Sequence, residues 1–167
     1  MFRRVSDFLA SWEEERAATL KILSALDDRS LQQAAGPDLR TLGRLAWHIT
    51  VTLPEMMERT GLRLSGPAQD APVPPRAAEI VAAYAGASQS LADEVRASWD
   101  DAALAVEDDM YGERWPRGKT LAALVAHQTH HRGQMTVLMR QAGLRVPGVY
   151  GPSREEWSAF GMQPPAV

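Results

Sequence analysis

No cysteine occurs anywhere in this chain, which excludes disulfide staples, thiolate metal ligands and a cysteine nucleophile together. An excess of basic charge is missing as well. The 18 lysines and arginines face 21 aspartates and glutamates, giving a formal net charge of -3 and a pI near 5.8. A general nucleic-acid binder needs a basic face to neutralise phosphates, and the pair Arg3-Arg4 is too short to supply one. Long apolar runs are also lacking, none approaching the ~18 residues that span a bilayer. The opening Met1-Phe-Arg-Arg-Val-Ser-Asp-Phe8 has neither the apolar centre nor the small-residue cleavage site of a secretory leader. The expectation is a soluble, cytoplasmic protein with no nucleic-acid partner and no membrane.

What is present fits one globular domain over 1–167: hydrophobic residues make up 45% of the chain and charged residues 23%. Helical periodicity runs through four segments. The first spans about 2–26, with Val5, Phe8, Leu9, Trp12, Leu20, Leu23 and Leu26 spaced three or four apart. Glu13, Glu14 and Glu15 occupy its other side and read as solvated. The second spans about 41–60, stopped by Gly61, and carries Pro54, which predicts a kink. The stretch 61–75 is rich in glycine and proline and reads as a connection without a helix.

A third helix is expected over about 76–99, an irregular stretch over 100–118, and a fourth helix over about 120–142 capped by Gly143. Ser153 with Glu156 makes a capping box for a short final helix. Strand-like alternation of any length is lacking. Helices of ~22 residues are about 33 Å long, and four of them predict an all-α four-helix bundle with a long crossover connection.

Histidine is scarce, at four residues, and its distribution is uneven. His127, His130 and His131 share the fourth helix, and His48 is on the second. At 100° per residue, His131 is about 40° round from His127 and one turn along, while Gln134 is about 20° off in the other direction. Leu124 and Leu138 extend the same stripe, so two imidazoles interrupt a bundle-facing side.

A single histidine on an apolar face is ordinarily a core residue satisfied by a carbonyl or water. Two within one turn cannot both take a proton cheaply, but neutral imidazoles at i,i+4 can chelate one divalent ion. His130 is about 60° from His127, so angle alone leaves it open as a ligand. The i,i+4 spacing favours His131.

The motif His127-x-x-His130-His131-Arg132-Gly133-Gln134, together with Leu45-x-Trp47-His48-Ile49, resembles the DinB/YfiT-like superfamily. The ending Gln141-Ala-Gly-Leu-Arg-Val-Pro-Gly-Val-Tyr150-Gly-Pro-Ser-Arg-Glu-Glu-Trp157 is similar to the close of many members. The resemblance implies a bundle with a long crossover and three histidine ligands, matched here by His48, His127 and His131. It also implies a homodimer. Related proteins include transferases that use low-molecular-weight thiols and a mycothiol-dependent maleylpyruvate isomerase.

Three protein ligands would leave a tetrahedral ion with an open position, the arrangement of catalytic zinc. The leading expectation is therefore a metal-dependent transferase or isomerase taking a small-molecule substrate and a small thiol cosubstrate, with zinc or nickel favoured as the metal. The alternatives are a non-catalytic stress-response or binding protein with a structural metal site, and a metal-dependent hydrolase. Peptide hydrolysis of the His-Glu-x-x-His kind is disfavoured because Gln128 occupies the position of the general base.

Gln134 has two readings, as a partner for ligand or metal-bound water and as a packing amide. Glu55, about 20° from His48 two turns along, reads as an exposed glutamate, with a role beside the metal as the second option. Arg132 reads as a surface or salt-bridged residue, and Trp47, Trp115 and Tyr111 as packing aromatics with a pocket role as the alternative.

Overall fold

The computed structural model describes residues 1–166; Val167, the last residue of the expected domain, lies outside the described residues. Four long helices dominate: α1 (Val5–Ser24), α2 (Leu42–Glu58), α3 (Ala77–Ser98) and α4 (Arg117–Gln141). Their apolar stripes meet in one core. From α1, Phe8, Trp12, Ile22 and Leu23 are fully buried, and from α3 Ile80, Tyr84, Leu91 and Val95. Each such side chain contributes roughly 1.5–3 kcal/mol through removal from water. In their main pairings α1 and α2 each pack against both α3 and α4. The segment 59–76 joins α2 to α3, which pack directly on one another, and no helix or strand is assigned within it. Trp47 holds this segment down, its indole N–H donating to the carbonyl of Ala71 at 2.8 Å.

Local chemistry sets the helix ends. Thr41 caps α2, its hydroxyl accepting the N–H of Arg44 at 3.1 Å. Gly61 and Gly143 take positive φ of 84° and 77° after α2 and α4, where the left-handed conformation favours glycine. Helix α2 continues through Pro54. In the tail, Glu156 accepts the N–H of Ser153 at 3.1 Å. The chain then makes a single 3-10 turn, Trp157–Phe160, in place of the short helix expected there.

The stretch 100–118 is not irregular. It holds an antiparallel hairpin, β1 (Glu107–Met110) paired with β2 (Glu113–Pro116), so the chain is mostly helical without being wholly so. Tyr111 and Gly112 form its two-residue turn, with φ of 61° and 88°, the double positive φ that a type I′ hairpin demands. Asparagine or aspartate normally precedes the glycine there, and tyrosine conceals the signal. The strands are only four residues long and largely charged, so alternation could not reveal them.

The fourth helix also starts three residues earlier than expected, at Arg117. Arg117 is held by Asp108 of β1 at 2.9 Å. Gly118 is buried because the N-terminal segment crosses it: a Cβ there would collide with the carbonyl oxygen of Phe2.

Candidate metal centre

His48 comes from the middle of α2, and His127 and His131 from the middle of α4. The register of the two helices is fixed beside the site. Gln128, fully buried, donates from Nε2 to the carbonyl of Ile49 at 2.9 Å, so the residues after His127 and His48 are tied together.

The structure brings the three histidines to one point. One ring nitrogen from each lies within 4.8 Å of the others, and the ring centroids are 4.5 to 4.9 Å apart. Nε2 of His48 faces Nε2 of His127 at 3.0 Å. Two nitrogens bound to one ion at ~2.0–2.1 Å and a tetrahedral angle would stand about 3.3–3.4 Å apart. His48 and His127 are half-buried and His131 is buried.

Gln134 decides how His131 is presented. Its Oε1 accepts from Nδ1 of His131 at 2.7 Å, which leaves Nε2 as the free ring nitrogen. A hydrogen-bonded second ring nitrogen of this kind fixes the tautomer of a metal-binding imidazole. The Gln134 amide also reaches Nε2 of His130 at 3.1 Å. His130 itself is exposed and does not belong to the converging group.

The donor set fits a divalent ion. Nδ1 of His127 is buried without a hydrogen-bond partner, so this ring gains little from the protein except its place in the group. Burial pushes His48 and His127 down to about 4 from an ordinary imidazole value of 6.5. Neighbouring histidines and the charge of Arg40 push the same way. Burial lowers His131 too, opposed by its bond to Gln134. All three are thus held neutral at pH 7, the form that ligates.

This has a measurable consequence for the metal-stripped protein. Between about 6.5 and about 4 the unfolded chain binds protons that folded His48 and His127 refuse. Stability should therefore fall as pH falls through that window and level off below it. Melting temperature in the presence of a chelator, read from pH 7.5 to pH 4, should drop more steeply for the wild type than for a His48→Asn/His127→Asn variant. Equal slopes would count against this account.

A cleft of about 710 Å³ opens beside His48 and His127. Tyr111 and Trp115 of the hairpin line it, together with Glu55, Arg40, Arg44 and Arg59. Three expectations change here. Tyr111 and Trp115 are cleft walls, whereas Trp47, 4% exposed, is core. Glu55 is not a solvated residue: it accepts from the Tyr111 hydroxyl at 2.8 Å and from Arg59 Nε at 3.0 Å, because the hairpin folds over α2. Burial, then the bond to Glu55, pushes the Tyr111 hydroxyl up to about 12, so it stays a donor.

Arg40 and Arg44 were not among the sequence candidates. Arg44 stands one turn before His48, an i,i+4 relation that places both on one face, but arginine on a helix surface is ordinarily solvent-facing.

A family model of the DinB family matches residues 1–165. The chain is 45% identical over 167 residues to the uncharacterized protein YrdA of Bacillus subtilis (strain 168), covering 100% of both. A crystal structure of a DinB-like protein from Bacillus cereus ATCC 10987 is similar at a TM-score of 0.87 and 43% identity, covering 90% of this chain and 100% of that one. The chain belongs to the DinB family, as its histidine motifs and tail suggested.

Proposed function

We propose that this DinB-family protein binds one divalent metal ion through His48, His127 and His131 and acts as a transferase or isomerase with a small thiol as cosubstrate. The observation that carries the reading is the convergence of three neutral imidazoles from two helices beside an open cleft. Held by these three side chains, a divalent ion would keep one position open and would supply acidification of a water or thiol bound there.

The chain's own residues do the rest. Gln134 fixes the His131 ring, Gln128 locks α2 against α4, and the aromatic walls of the cleft shield a bound molecule from water. The absence of cysteine agrees with a thiol that arrives from outside. Hydrolysis of the His-Glu-x-x-His kind has less support, because Gln128, in the place of the general base, is an amide committed to Ile49. Zinc and nickel both suit three imidazoles. A homodimer in the cytoplasm belongs to the same reading and rests on the resemblance and the sequence composition.

The test uses untagged protein. Elemental analysis should find about one divalent ion per chain. The cobalt-substituted protein should develop a sulfur-to-metal charge-transfer band on addition of mercaptoethanol. No uptake of zinc, nickel or cobalt would overturn the metal site. Cobalt uptake with no thiol-dependent band would overturn the thiol chemistry while leaving the metal site in place.

A further inference from the structure

We propose that Arg40 and Arg44 form an anion site in the cleft beside the histidines, and that the protein's small-molecule substrate carries a carboxylate which these two side chains hold. The proposal deepens the metal-dependent reading by naming the substrate's chemistry, and it rests on that reading for the cleft being a substrate site.

The first observation is charge imbalance. The chain as a whole is acidic, at -3, yet the cleft is lined by three arginines and one glutamate. Glu55 is committed to Arg59 at 3.0 Å, and Arg59 also lies over the Tyr111 ring at 4.3 Å. That leaves two cations in the cleft. Neither Arg40 nor Arg44 has a carboxylate within ion-pair distance among the described residues. Of the three arginines that line the cleft, Arg59 alone has one among the described residues.

The second observation is position. Arg40 and Arg44 line the same cleft as His48 and His127, and Arg44 stands one helical turn before His48 on α2. Arg40 also lines a second recess, of about 490 Å³, where His131 shows among Leu39, Leu45 and Val137. A cation there repels a divalent ion on the histidines, at a cost that grows as water is excluded. An anion lying between them turns both repulsions into attractions. A guanidinium matches a carboxylate through two parallel N–H donors, which an ammonium cannot do. The cleft volume lies within the roughly 300–1,000 Å³ of small-molecule sites, large enough for an anionic group with a reacting portion beside the histidines.

The experiment titrates the full chain with succinate and with its uncharged diamide, in zinc-loaded and chelator-stripped forms, following arginine side-chain and backbone amide signals by NMR. Succinate should bind at least about tenfold tighter than the diamide in both forms, with shifts at Arg40 and Arg44. R40Q/R44Q should lose that preference while keeping the wild-type fold and zinc stoichiometry. Equal binding of the two compounds in both forms overturns the proposal. So does a preference seen only with zinc and unchanged in R40Q/R44Q, which would assign the carboxylate to the ion. A preference for succinate in stripped protein that takes up no zinc would remove the metal-dependent function and uphold the anion site.

Discussion

His131→Ala should abolish stoichiometric zinc or nickel binding, whereas His130→Ala should weaken it by no more than about 10–100-fold, the usual loss when a residue supporting a ligand is removed. The two histidines are adjacent in sequence, and their rings are only 4.9 Å apart, so the difference is a strict test. His131 is 8% exposed, with ring centroids 4.7 Å from His48 and 4.5 Å from His127. His130 is exposed and meets the group from outside, edge to face with His131 and through Gln134, which bonds both rings. Removing His130 loosens Gln134 and with it the tautomer of His131, but leaves every converging nitrogen in place. Removing His131 leaves His48 and His127 as two donors, too few to enclose an ion. Competition against a chelator of known affinity, with circular dichroism to confirm folding, measures both. Abolished binding in His130→Ala alongside wild-type affinity in His131→Ala would reverse the assignment.

The helices and the His127/His131 pair were legible because their signals are local, whereas His48, alone on α2, was named as a ligand through the family resemblance. Apolar spacing marked the four helices, and Gly61 and Gly143 marked ends that the structure places within a residue or two. The i,i+4 pair on α4 needs only helical geometry to bring His127 and His131 together. What sequence reading missed depends on distant partners. The hairpin needs a positive φ at Tyr111, which tyrosine seldom adopts. Glu55 reads as solvated until the hairpin supplies Tyr111, 56 residues away. Arg40 and Arg44 look like ordinary surface charges until the fold places them on the cleft beside His48 and His127. Glu15 sits in a run of three glutamates that reads as a solvated face, yet its side chain is 12% exposed and paired with Arg132 across 117 residues.

Breaking the Glu15–Arg132 pair should cost the fold more stability than any of the histidine substitutions. Arg132→Ala should destabilise it by about 3–5 kcal/mol, as expected when one partner of a buried ion pair is removed. The Arg132 side chain is 3% exposed. Besides the Glu15 carboxylate and the Tyr150 hydroxyl, it donates to Thr19 Oγ1 at 2.8 Å and to the Glu15 carbonyl at 3.1 Å. Tyr150 in turn donates to Glu15 at 2.7 Å, so one guanidinium joins α1, α4 and the tail. Truncation leaves the Glu15 charge half-enclosed with only hydroxyls around it. For a chain of this size each kcal/mol shifts the melting temperature by roughly 2–4 °C, which predicts a fall of about 6–20 °C. Arg132→Met with Glu15→Gln removes both charges and keeps most of the volume, so the double variant should be clearly more stable than Arg132→Ala. Because Arg132 points to α1 while His131 points to α2, the folded double variant should keep its zinc affinity within a few-fold. Thermal melts and chelator competition on the same samples separate the two effects. A double variant no more stable than the single one would show that the loss comes from packing, not from an uncompensated charge.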